Sequence, residues 1–159
     1  MNKLELKQII VTALKEKWAV AKSSTQRAID AATDEETVPE HKYDTLALEA
    51  SYLAHGQAMR VQECEQEIHQ YESLTIPDEP KSKIGIGAYV VLVCDDDNEK
   101  HLFMGPCSGG LNIQYQDQPV SIITPLAPLG KAMIGKEVGD EVELNVSGSV
   151  YYYEIMDIK

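Results

Sequence analysis

From the start of the chain to about residue 32, apolar or small side chains recur in steps of three and four: Leu4, Val11, Leu14, Trp18, Ala21, Thr25, Ala28 and Ala32, with Lys7 the break in the series. No glycine or proline interrupts residues 2–32, and Lys, Glu, Ala and Leu dominate them, so a helix is expected there. The stripe is narrow and its members become small toward residue 32, which favours a coiled-coil seam over an amphipathic helix lying on a globular core. The pattern then stops at Thr33-Asp34-Glu35-Glu36-Thr37-Val38-Pro39-Glu40. Thr37 and Glu40 have capping-box spacing, Thr33 and Glu36 offer the same one turn earlier, and Pro39 suits a first helical turn. A second helix is expected from about residue 39 to 72, with a seam of Leu46, Ala50, Leu53, Gln57, Arg60 with Val61, Cys64, Ile68 and Tyr71. Two long helices across a short hinge form an antiparallel hairpin, each arm roughly 45 Å long at 1.5 Å per residue.

After residue 73 the pattern changes. Ser73-Leu74-Thr75-Ile76-Pro77-Asp78-Glu79-Pro80-Lys81-Ser82-Lys83 reads as a linker broken and stiffened by its prolines. Beyond Ile84 the period falls to two, as in strands: Ala88–Cys94, His101–Gly105, Val120–Ile123, and a closing hairpin of Val142–Val146 and Ser149–Ile158 about Ser147-Gly148. One short helix among about five strands makes a small α+β domain. The expected organisation is therefore a helical hairpin over 1–73, a linker over 74–83 and an α+β domain over 84–159.

Charge narrows the partners. The net charge of −12 lacks the basic footprint that duplex binding requires, so direct DNA binding is disfavoured and a basic protein surface is the better partner. The chain has no apolar run long enough to span a bilayer, and Met1–Lys7 lacks the apolar core of a signal peptide. Cys64, Cys94 and Cys107 are odd in number and far apart, which suits reduced thiols in a cytoplasmic protein. His41, His55 and His69 are two heptads apart and lack the i, i+4 spacing of chelators, so they read as surface or seam-flanking positions. Asp95, Asp96 and Asp97 lack calcium-loop spacing and read as a solvated turn. Tyr151-Tyr152-Tyr153 reads as strand packing, because a base-stacking platform would need basic neighbours.

One stretch organises the C-terminal half: Pro128-Leu129-Gly130-Lys131-Ala132-Met133-Ile134-Gly135-Lys136-Glu137-Val138-Gly139-Asp140-Glu141. It reads as a proline-led short helix, a glycine stop at Gly135, and a turn at Val138–Glu141 leading into a strand. This segment resembles the signature of the Gre transcript-cleavage factors, a Pro-apolar-Gly start followed by a Gly-Lys-x-x-Gly-Asp turn. Ala127 and Thr124 stand where that family usually has serines. The hairpin–linker–domain layout matches the family too, and Lys42-Tyr43-Asp44-Thr45 with the following Leu-Glu-Ala-Ser-Tyr run is similar to a divergent Gre-like branch.

The resemblance implies an FKBP-like C-terminal domain docking on the rim of the RNA polymerase secondary channel, through Pro128, Gly130, Lys131, Gly135 and Asp140. It also implies a coiled coil that carries tip acids to the polymerase active site. There Asp34, Glu35 and Glu36 would assist, with Asp34 and Glu36 as ligands to a polymerase-bound Mg²⁺ only in the complex. The protein would hold no cofactor of its own, catalyse nothing alone, and touch nascent RNA only indirectly. If Tyr43 is the family's tip tyrosine, Glu36 falls at the usual Asp position, Pro39 at the usual Glu position and Glu40 at the usual Asn position. Otherwise Asp34, Glu35 and Glu36 have a geometry of their own. The expected function is modulation of elongation, with stimulated cleavage of backtracked RNA through the acidic tip. Alternatives are a channel-binding inhibitor without cleavage activity, or an FKBP-type peptidyl-prolyl isomerase. The last is disfavoured because residues 84–159 contain one Phe and no Trp for an aromatic pocket.

Overall fold

The computed structural model describes residues 1–33, 46–77, 79 and 81–159. The elements are α1 (Lys3–Thr33), α2 (Leu46–Ser73), β1 (Tyr89–Cys94), β2 (Glu99–Met104), β3 (Asn112–Tyr115), β4 (Gln118–Ile123), α3 (Pro128–Met133), β5 (Glu141–Val146) and β6 (Ser149–Ile158). They fall into two compact units, Val11–His69 and Met1–Ile10 with Gln70–Lys159.

The first unit holds the greater part of both long helices. On α1, Leu14, Ala21 and Ala28 are buried and Val11, Trp18, Thr25 and Ala32 are half-buried, so the expected seam holds from Val11 onward. Trp18 donates its Nε1–H to Glu65 at 3.1 Å, and Lys17 pairs with Glu67 at 3.7 Å. On α2 the expected seam needs correction. Leu53 is 56% exposed and Arg60 is also exposed. Counting back from the buried Cys64 in steps of three and four gives Val61, Gln57, Ala54, Ala50 and Ala47, all of them half-buried. The stripe thus runs through alanines, and the larger leucine one position away faces solvent because rotation about the axis, not size, decides which side chain meets the neighbour.

The second unit is built on a sheet in the order β3-β4-β2-β1-β6-β5, antiparallel throughout except for the parallel pair β2–β4. Strand alternation sends Val90, Leu92, Leu102, Met104, Ile123, Val142 and Tyr153 into one core, which Met133 of α3 closes. The opposite face is buried as well, at Tyr89, Val91, Phe103, Val120 and Ile122. In the same unit the ends of the long helices are tied down. Asn2 caps α1 by accepting from the N–H groups of Leu4 and Glu5 at 3.1 and 3.2 Å, and its own N–H donates to the Tyr115 hydroxyl at 3.0 Å. Leu6 and Ile10 are fully buried, whereas Leu4, expected in the seam, is 56% exposed. The apolar stripe therefore enters α1 through Leu6, Ile10 and Leu14, in steps of four. Lys7 lies beside it, and its Nζ donates to the carbonyls of Glu72 and Leu74 at 2.9 and 2.8 Å.

The sheet has six strands, not about five. The unanticipated one, β3, has a polar outer face (Asn112, Gln114) and pairs with β4 through the two-residue turn Gln116-Asp117, with φ of 50° and 62°. That is primed-turn geometry without the usual glycine. The closing hairpin turns at Ser147-Gly148 as expected, with φ of 51° and 84°.

Candidate functional site

The Gre-like segment is built around α3. Ala127 is its N-cap residue without a side-chain cap bond, and Pro128 opens the helix where a missing N–H has no cost. Gly130 is buried, and a Cβ there would overlap the carbonyl oxygen of Thr124, so the loop before α3 folds against the helix only because residue 130 has no side chain. The helix stops at Gly135, whose φ is +77° and whose N–H donates to the Ile84 carbonyl at 2.9 Å. The Ile84 N–H returns a bond to the Lys136 carbonyl at 2.9 Å, which fixes the end of α3 to the entry of the domain. The next turn is closed by Asp140, whose Oδ2 accepts from the Glu137 N–H at 2.8 Å, while the Gly139 N–H donates to the Ile155 carbonyl.

The five positions expected to contact a partner therefore divide. Gly130, Gly135 and Asp140 have defined work inside the fold. Pro128 and Lys131 are exposed on α3 and remain available to another molecule. The structure adds apolar residues that the motif did not flag: Leu126 is 82% exposed, and Ile134 and Val138 are also exposed. Their signal in the sequence is that they are apolar yet fall outside every periodic run. Lys83, paired with Glu137 at 3.6 Å, and Lys131 add basic charge to the segment. An apolar loop with lysines around it is suited to a protein surface carrying apolar and acidic groups.

A cleft of about 480 Å³ adjoins α3, walled by Leu102, Ile123, Leu129 and Pro119 with Lys100 and Ser121 at its edge. His101 carries the only ring among its lining side chains apart from the proline, so it offers no aromatic cage.

Asp34, Glu35, Glu36, Thr37, Pro39, Glu40, His41 and Tyr43 lie outside the described residues. His55 and His69 are exposed, the surface one of the two readings their spacing allowed. All three cysteines are free thiols, and among the described residues no group of three or more His, Cys, Asp or Glu side chains could hold a metal ion. Asp95–Asp97 forms the β1–β2 turn, where Asp96 accepts from the Asn98 side-chain amide at 2.6 Å and from its N–H at 3.3 Å. These bonds, the side-chain one foremost, hold the Asp96 carboxyl below its ordinary pKa. Tyr153 is buried in the core, and Tyr151 and Tyr152 are half-exposed. No helix of the described residues is long and apolar enough to cross a membrane.

The family described as transcription elongation factor, GreA/GreB, C-terminal, matches residues 79–159. The transcription elongation factor GreA of Mesorhizobium japonicum is 35% identical over 113 residues, covering 71% of this chain and 67% of that one. GreA of Sinorhizobium medicae is 34% identical over 100 residues, covering 63% of this chain and 60% of the relative, so the chain spans about three fifths of that protein's length. A solved structure of the GreA factor homolog Gfh1 from Thermus thermophilus aligns over 98% of this chain and 93% of its own, at 18% identity and a TM-score of 0.39. The match over 79–159 takes in the whole of α3 with its glycine stop and Asp140 turn, and on that match the chain belongs to the GreA/GreB transcription elongation factor family.

Proposed function

We propose that this protein binds RNA polymerase and modulates transcript elongation, docking through the exposed side of the α3 segment and presenting the acids between α1 and α2 to the polymerase active centre. In this reading residues 1–73 act as one arm, 74–83 as its joint and 84–159 as the docking domain. Family membership over residues 79–159 carries the proposal. Two long helices pairing through Trp18–Glu65 and Lys17–Glu67, with the acidic stretch between them, support it. Asp34, Glu35 and Glu36 would supply hard oxygen ligands to a Mg²⁺ held by the polymerase and orient a water for phosphodiester hydrolysis. The protein has no catalysis of its own in this scheme.

A second reading has one residue in its favour. With Tyr43 as the tip tyrosine, Pro39 stands where a cleavage factor has Glu, which removes one carboxylate and favours a channel-binding inhibitor. One assay separates the two. Stalled, backtracked elongation complexes are given the protein, and RNA length and elongation rate are followed with polymerase pull-down alongside. Shortened RNA supports cleavage stimulation, and slowed extension without shortening supports inhibition. No pull-down and no change in either readout would sink both. The D34A/E35A/E36A variant should lose the effect on RNA and keep binding, whereas Lys131→Ala should weaken binding. The isomerase alternative fares worse, because the cleft beside α3 lacks the aromatic walls that would hold a desolvated proline.

A further inference from the structure

The sheet face opposite α3 carries an arrangement that neither the signature segment nor the acidic stretch between the helices accounts for. Strand register sets Glu141 directly opposite Glu154, Glu154 opposite Val93, and Val93 opposite Glu99, a lateral row across β5, β6, β1 and β2. Glu143 lies opposite Tyr152 in the neighbouring row. Because Val142 and Tyr153 point into the core that Met133 closes, Glu141, Tyr152 and Glu154 point the other way. Like charges placed directly opposite on adjacent strands destabilise a sheet. Here nothing relieves them: among the described residues no cation lies within ion-pair distance of Glu141, Glu143 or Glu154.

Glu141, Glu154 and Tyr152 border a cavity of about 180 Å³ whose lining also includes Val93, Asp95 and Asp97. It has an aromatic wall, since Tyr152 is 47% exposed, and β5 beside it is the terminal strand of the sheet. We infer that this cavity receives an arginine side chain from a basic, extended segment of a protein partner. A guanidinium stacks on a tyrosine face while forking to carboxylates, which matches Tyr152 beside the Glu141–Glu154 pair. The free edge of β5 can pair with the backbone of the extended segment that carries it. A bare metal ion does not fit, because these acids form no metal-holding group. A second copy of this chain does not fit either, since its charge of −12 is of the wrong sign. The face lies across the sheet from α3, so this contact is distinct from the docking segment.

The test uses the full chain, isotope-labelled, titrated at low salt with a capped peptide of alternating arginine and glycine. The amides of Val93, Tyr152 and Glu154 should shift together. Glu141→Gln and Glu154→Gln should each weaken binding about ten-fold, and each should melt at the same temperature as the parent or higher, because a repulsion has been removed. A residue that merely supported the fold would show the reverse in the melt. Shifts confined to the α3 segment or to residues 34–36, unchanged affinity in both variants, or equal shifts with Mg²⁺ alone would each overturn the inference. No polymerase is present in this experiment, so its failure leaves the proposed function standing.

Discussion

The Tyr71 hydroxyl occupies the space that a side chain on Gly105 would need. It donates to the Cys107 carbonyl at 2.9 Å from a fully buried ring, and a Cβ on Gly105 would overlap it and stand 3.0 Å from Ile122 Cγ2. The last turn of α2 is thereby locked to the segment after β2, inside the unit that contains the sheet. Gly105→Ala is expected to cost about 1–3 kcal/mol through overpacking, and Tyr71→Phe about 1 kcal/mol through loss of the hydrogen bond. Because Tyr71→Phe also removes the atom that the added methyl at position 105 would strike, the double variant should be more stable than the sum of the two losses predicts. Urea unfolding of the parent, both single variants and the double variant measures this, and strict additivity would show that the two residues do not share that space.

Much of this fold is visible in residue order, and the failures have physical causes. Helix α1, expected over 2–32, spans 3–33, because a long run without Gly or Pro leaves the backbone no cheaper conformation. Gly135 and Ser147-Gly148 adopt the left-handed conformations their positions implied. Lys7, a flaw in the expected stripe, holds the end of α2, a relation between residues 65 and 67 positions apart that no local pattern encodes. Leu6 and Ile10 fall outside the expected seam for a related reason: they lie a step of four apart and are buried in the unit that holds the sheet, while the three-and-four alternation serves the helix pair. β3 escapes the strand pattern because it is four residues long and its outer positions are polar. In the signature, residue order marks the stretch but does not separate Gly130, needed for packing, from Lys131, left exposed beside it.

Two glycines of the signature should respond differently to alanine. At Gly130 the clash is with backbone, the Thr124 carbonyl, which cannot rotate aside. Gly130→Ala should therefore cost about 3 kcal/mol or more and shift α3. At Gly135 the space for a Cβ is open and only the φ of +77° resists, so Gly135→Ala should cost about 1 kcal/mol and Gly135→Asn less. Lys131→Ala, at an exposed site, should leave stability within about 0.5 kcal/mol. Chemical denaturation ranks the variants, and equal losses at residues 130 and 135 would refute the distinction.

Lys7 places an ammonium on carbonyls at the C-terminal end of α2, where the helix dipole is negative. Lys7→Met keeps most of the apolar stem and removes the charge and both hydrogen bonds. The expected loss is about 1–2 kcal/mol, with faster amide exchange through the last turn of α2 and at Leu74, whose N–H donates to the Tyr71 carbonyl at 3.2 Å. Exchange that changed only at the start of α1 would place the role of Lys7 within its own helix.

Tyr89 gives a pH test with a defined sign. Its hydroxyl is 2.8 Å from His101 Nδ1 and its ring is buried. Burial raises its pKa above the ordinary 10.0, helped by the negative charge that Tyr115, Asp157 and Glu99 carry at alkaline pH. A raised folded-state value means that the native fold favours the neutral phenol. Its contribution is complete below pH 10.0 and is lost as pH rises through the folded value, so stability should fall on the alkaline side and be unaffected by Tyr89 ionisation at neutral pH. Ultraviolet titration of phenolate should show a late-ionising tyrosine that is missing from Tyr89→Phe, and that variant should unfold with a shallower dependence on alkaline pH. If Tyr89 ionised at the ordinary value of 10.0, the buried hydroxyl would have to be open to solvent, and its contact with His101 would not persist in solution.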